Sequence, residues 1–275
     1  MTTLDTAVQT GSSRAVLAAR PRPARPGTMT AGLAFTWRAL LKIRRTPAQL
    51  FDIAVHPIVF TVMFTYLFGG AVAGSTRTYV GYLIPGILAM TLLVTTGTTG
   101  AALSIDLAAG AFDRYRTLSI RPAAPLIGTM LSDAIRYTLA STVVVGLGLT
   151  LGFRPHGNAL GVAAAVLLVV AFSVSLSWMW TTLALLMKSP GAVLGVTQAL
   201  LYPLSLFSNI FVDPATLPGW LQAFVNVNPV THLVTAAREL MAGDPPSLQL
   251  VWILTACTLL TAIFAPLSVR LLRTR

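Results

Sequence analysis

The residues with which this chain of 275 could do chemistry are few, and most of them stand together. The stretch Asp106 to Pro125, Asp-Leu-Ala-Ala-Gly-Ala-Phe-Asp-Arg-Tyr-Arg-Thr-Leu-Ser-Ile-Arg-Pro-Ala-Ala-Pro, is the one polar island with internal pattern in an apolar sequence. As a helix it sets Phe112 and Tyr115 three residues apart, with Asp113, Arg114 and Arg116 between and after them. That pattern presses aromatics into a partner's groove and flanks them with charge. The chemistry it predicts is recognition.

Bond-making is poorly provided for. A nucleotide-binding loop needs Gly-Lys-Ser/Thr to wrap phosphates, and neither lysine follows a glycine (Leu41-Lys42, Met187-Lys188), so no cofactor is expected on this chain and any ATP must be handled by another subunit. His56, His156 and His232 are scattered, without acids at metal-ligand spacing, so no metal site is expected. The single cysteine, Cys257, lies in an apolar run and makes no internal disulfide. Asp133 with Arg136, and Asp52 with His56, sit at helical spacing at the inner ends of two apolar runs, shallow enough to be hydrated, and read as structural pairs rather than a proton relay. A lipid-modifying enzyme would have to rely on Asn228, His232, Arg238 and Glu239, which fit helix capping and interfacial pairing equally well.

The elements that position these residues follow from composition. With 55% hydrophobic and 10% charged residues and a mean hydropathy of +0.76, the chain reads as an all-α polytopic membrane protein. Its net charge of +11 is an orientation signal rather than a nucleic-acid patch.

A hydrocarbon core ~30 Å thick takes about 20 helical residues. Uncharged runs then predict six transmembrane helices, about 53–70, 81–104, 133–153, 159–187, 192–211 and 248–269. A seventh run, 214–237, carries Pro214, Pro218, Pro229, Asn226, Asn228 and His232, too many breakers and polar groups for a lipid-facing helix. Six spans put both termini on one side. All basic residues except Arg77, Arg154 and Arg238 fall on that side, so both ends are expected to be cytoplasmic, in the cell membrane. Residues 106–125 then form a cytoplasmic loop open to a soluble partner.

Residues 1–27, rich in Ser, Thr, Ala, Arg and Pro, read as a disordered basic cytoplasmic tail, and 28–275 as the transmembrane domain. Within 28–46, Leu33, Trp37, Leu40 and Leu41 share a face opposite Arg38, Lys42 and Arg45, which predicts an amphipathic interface helix on the anionic inner leaflet. Between the last two spans, 212–247 reads as an external re-entrant helical lid. Trp220 lies on the face of its first helix, the break is at Asn228-Pro229, and Asn226, Asn228 and His232 are expected to be buried against protein. Phe60 and Phe64, with Thr95 and Thr99 on the small, polar second span, are the weak candidates for a substrate path, although lipid contact explains the Phe stripe as well.

Together these pieces resemble the permease subunits of type-2 ABC exporters, and most of all the daunorubicin/doxorubicin-resistance permease group of actinobacteria. The resemblance is carried over residues 30–275 by Gly110-Ala-Phe-Asp-Arg-Tyr-Arg116, Thr36-Trp-Arg-Ala39, Leu67-Phe-Gly69, Ser177-Trp178, Asn209-Ile-Phe-Val-Asp-Pro-Ala-Thr-Leu-Pro-Gly-Trp220, Asn228-Pro-Val-Thr-His232 and Phe264-Ala-Pro-Leu267. It implies that Asp106, Gly110, Phe112, Asp113, Arg114, Tyr115 and Arg116 belong to a coupling helix seated in an ATPase subunit. The ATP and Mg would reside on that subunit. A second permease, identical or related, completes the expected assembly. Ser119 departs from the family's pattern, which often has proline there. The implied function is export of a hydrophobic antibiotic or natural product, with a lipid or glycan precursor as the alternative cargo. A stand-alone secondary carrier would need a midplane acid that the expected spans do not contain.

Overall fold

The computed structural model describes residues 33, 34, 36, 37, 41, 55, 57–67, 69, 76–110, 123–187, 189–245 and 247–274, and every regular element among them is helical. They are α1 (Pro57–Leu67), α2 (Thr76–Ala108), α3 (Ala123–Thr150), α4 (Ala159–Leu186), α5 (Pro190–Leu206), a 3-10 turn (Pro214–Thr216), α6 (Gly219–Val227), α7 (Pro229–Ala242) and α8 (Leu248–Thr274).

Local chemistry sets these limits. Asn158 caps α4, its side chain accepting from the Gly161 N–H at 2.8 Å. Ser189 caps α5 ahead of Pro190, whose missing N–H costs nothing at a helix start. Asn228 closes α6 through its own N–H and opens α7 by accepting from Val230, so one residue makes the corner that Pro229 fixes. Gly243, at φ 83, ends α7 in the left-handed conformation that glycine takes without strain.

The helices assemble around α2 and α4. α2 packs on α3, α4, α5 and α7, and α4 also meets α3, α7 and α8. Leu83, Ile84, Ile87, Leu88, Leu92 and Leu93 of α2 are fully buried. By contrast α8 turns Val251, Trp252, Leu254, Leu259 and Ile263 outward, an apolar surface suited to lipid. Three helical stretches, Tyr79–Ala108, Ala159–Leu186 and Leu248–Leu272, are long and apolar enough to cross a membrane. Pro57–Leu67 and Pro190–Leu206 are shorter apolar helices.

Some expected boundaries shift. The run 133–153 lies in a helix that starts at Ala123 and ends at Thr150, so Asp133 and Arg136 sit in a helix interior instead of at its mouth. Counting uncharged residues misplaces this start, because an acid and a base one turn apart neutralise each other. The run 192–211 is helical only to Leu206, and residues 207–212 leave the helix. Asn226, expected to be buried, is exposed. Of the expected disordered tail and interface helix, residues 1–32, Arg38, Lys42 and Arg45 lie outside the described residues.

Candidate functional site

Two glycines and four threonines in the C-terminal half of α2 set up a polar junction. A Cβ added at Gly97 would stand 2.7 Å from Thr197 Cγ2, and one at Gly100 would stand 2.9 Å from the Trp180 carbonyl oxygen. Only glycine lets α5 and α4 come this close. At that separation Thr96 accepts from Trp180 Nε1 at 3.0 Å. Thr99 donates to Asp133 Oδ2 at 2.8 Å and lies 3.1 Å from the Tyr137 hydroxyl, which in turn meets Ser177 Oγ at 2.8 Å. Arg136 Nη2 pairs with Asp133 Oδ1 at 2.9 Å and reaches Thr99 Oγ1 at 3.2 Å.

The junction is dry rather than hydrated as expected. Asp133 is 7% exposed and Tyr137 is fully buried. A charged carboxylate is tolerable there because a guanidinium and a hydroxyl satisfy it. Thr99 precedes the end of α2 by roughly 13 Å at 1.5 Å per residue, so the junction lies well inside the helix bundle. It ties α2, α3 and α4 into one body.

Below the junction both helices reach the segment singled out by sequence. α2 stops at Ala108, and Gly110 turns the chain at φ 67 while its N–H bonds the Leu107 carbonyl at 3.1 Å. Asp106, half-buried, sits in the last turn of α2, where the helix dipole disfavours a negative charge. Phe112, Asp113, Arg114, Tyr115 and Arg116 lie outside the described residues, and the chain re-enters as α3 at Ala123. The two helices that flank the segment are joined by Thr99 and Asp133.

The other candidates are dispersed. Trp37 is 65% exposed, while its neighbour Thr36 is buried and donates to the Gly128 carbonyl at 3.3 Å, a contact with α3 that periodicity did not suggest. Phe64 stacks on Phe211 with ring centroids 4.3 Å apart, and Phe60 is half-buried beside it, so this pair packs on protein instead of facing lipid. Thr95, half-buried, bonds back to the Thr91 carbonyl, and Thr99 is held in the junction.

On the far side, Asn228 donates to the Leu204 and Phe207 carbonyls, each at 2.7 Å, and His232 pairs with Gln249. Glu239 accepts from Ser247 at 2.5 Å. Trp220 is 74% exposed. The residues that an enzyme reading would need are thus each occupied separately, in caps and helix-to-helix contacts. Sequence reasoning undervalued Arg238, whose guanidinium lies 3.7 Å from the Tyr82 ring centre and donates to the backbone carbonyls of Tyr82, Asn209 and Ile210. The available signal was Pro85-Gly86, a proline and a glycine inside α2 beside those carbonyls.

Comparison with known proteins adds ancestry to this geometry. Residues 30–242 match the family described as "ABC-2 type transporter". A daunorubicin resistance ABC transporter permease protein of Streptomyces coeruleorubidus is 43% identical over 96% of this chain and 94% of its own length. That alignment necessarily enters residues 1–27, which the sequence resemblance had left out. A doxorubicin resistance ABC transporter permease protein of Mycobacterium tuberculosis is 26% identical over 76% of the chain and 72% of its own length.

Proposed function

The chain belongs to the ABC-2 type transporter family, a membrane permease subunit of an ABC exporter, and from that premise we propose which compound it moves and how force reaches it. The observation that carries the reading is the 43% identity, along almost the whole length of both chains, to a permease named for daunorubicin resistance. The proposed cargo is a hydrophobic antibiotic or natural product that enters from the cytosol or inner leaflet. Export of a lipid or glycan precursor by the same machinery is the second reading, favoured by nothing specific in the geometry.

In this proposal six spans place both termini in the cytoplasm, and two permeases, identical or related, join two ATPase subunits that hold ATP and Mg. Phe112, Asp113, Arg114, Tyr115 and Arg116 seat in the ATPase, and Asp106 and Gly110 set the angle at which the segment leaves α2. Nucleotide-driven closure shifts the segment, and the junction around Thr99 and Asp133 carries that shift into α2, α3 and α4 together. A stand-alone proton-driven carrier finds no support in Asp133, because Arg136 and Thr99 already hold that carboxylate.

The test is reconstitution with the ATPase subunit in inverted vesicles supplied with daunorubicin. The double reversal Asp113→Arg with Arg114→Asp should abolish ATPase association and export while membrane insertion persists. Undiminished export by the double variant rules out the coupling role.

A further inference from the structure

The end of α5 and the start of the lid are joined by a non-helical stretch, residues 207–213, that runs along the outer end of α2. Its side chains are anchored at Phe211, stacked on Phe64, at buried Ile210 and at Asn209, which donates to Thr235. Its backbone is held by a further set of donors aimed at its carbonyls: Asn228 on Phe207, Tyr82 Oη on Asn209 at 2.9 Å, Tyr79 Oη on Phe211 at 3.2 Å, and Arg238 on Asn209 and Ile210 at 2.9 and 3.3 Å. Arg238 also grips α2, its Nε and Nη2 donating to the Tyr82 carbonyl at 3.1 and 3.0 Å.

Two features of this arrangement are unusual. Among the described residues no carboxylate forms an ion pair with Arg238, so a guanidinium on the part-buried face of α7 is satisfied by peptide carbonyls and one aromatic ring. Furthermore, α2 is weakened at this level. Pro85 removes the N–H that the Gly81 carbonyl would accept, and the missing side chain of Gly86 lets the Ile210 carbonyl lie only 2.8 Å from where a Cβ would be. The stretch 207–213 fits against α2 at this level, and one cation on a third element fastens both.

We propose that Arg238 is a positioning residue for transport, a latch that holds residues 207–213 against the outer end of α2 and must let go for cargo to leave. The proposal rests on the exporter reading above. Carbonyls released into a low-dielectric space lack partners unless water replaces the guanidinium, so the latch is stable while the outer side is dry and opens as that side hydrates. That coupling keeps the outer route shut while cargo loads from within.

The experiment uses the reconstituted permease–ATPase complex in a Cys257→Ala background, which removes the single native cysteine. Asn209 Nδ2 donates to Thr235 Oγ1 at 2.9 Å, so the pair Asn209→Cys with Thr235→Cys lets a short bifunctional methanethiosulfonate tie the stretch to α7. Bridging should stop export while ATP hydrolysis continues, and reductant should restore it. Arg238→Gln should lower export about tenfold or more per ATP hydrolysed, with Arg238→Lys recovering part of the loss. Export by the bridged pair at the unbridged rate overturns the latch, as does an Arg238→Gln complex that exports normally or loses hydrolysis in step with export. A native complex that hydrolyses ATP yet moves no compound strikes the exporter reading instead.

Discussion

Thr99 on α2 gives its hydroxyl hydrogen to Asp133 on α3 across 2.8 Å, and Arg136 closes the triangle at 2.9 Å from the same carboxylate. The two helices that flank the segment 111–122 are therefore fastened at one buried point.

Removing one charge at that point takes the counter-charge from the other in a buried site. Asp133→Ala should cost about 3–5 kcal/mol. Thr99→Val, which deletes a hydroxyl shared by Asp133, Tyr137 and Arg136 but leaves the ion pair, should cost less, ~1–3 kcal/mol. Thermal unfolding of the purified protein in detergent should rank them in that order, and Asp133→Leu with Arg136→Leu should recover much of the single-site loss.

Helix approach at α2 depends on glycine at two positions and not at others. Gly97→Ala and Gly100→Ala drive a methyl into Thr197 and Trp180, whereas Gly81 and Gly146 have nothing within 4 Å of an added Cβ. The first two should lower stability by about 1–3 kcal/mol, and Gly81→Ala and Gly146→Ala should leave the melting temperature nearly unchanged.

Gly110 is a conformational requirement at the end of α2. At φ 67 an alanine is strained, so Gly110→Ala should cost about 1 kcal/mol locally and redirect the chain into 111–122. Binding of the ATPase subunit should weaken while the melting temperature of the isolated permease hardly moves. Equal losses in both would place the defect in folding.

Asn228 acts through both ends of its amide. Asn228→Asp keeps the cap on Val230 but loses donation to Leu204 and Phe207 and presses a negative charge on two carbonyls. Asn228→Asp should therefore be at least as damaging as Asn228→Ala, contrary to what capping preference alone predicts. Protease accessibility of the 207–227 region from the outer face is the readout.

The sequence by itself determined that the protein is helical and made for a membrane, and where the helices after Pro218 break. Those properties follow from composition, periodicity and proline, which act within a few residues of where they stand. Asn228-Pro229 was legible for that reason. Only the tertiary structure decided what the isolated polar residues do. Asp133 and Arg136 looked like an interfacial pair until Thr99, thirty-four residues upstream, was brought beside them. Arg238 counted merely as an outer charge until carbonyls of Tyr82 and Asn209, distant in the chain, were turned toward it. A carbonyl has no signature in a sequence, and a buried charge is judged by partners that only packing supplies.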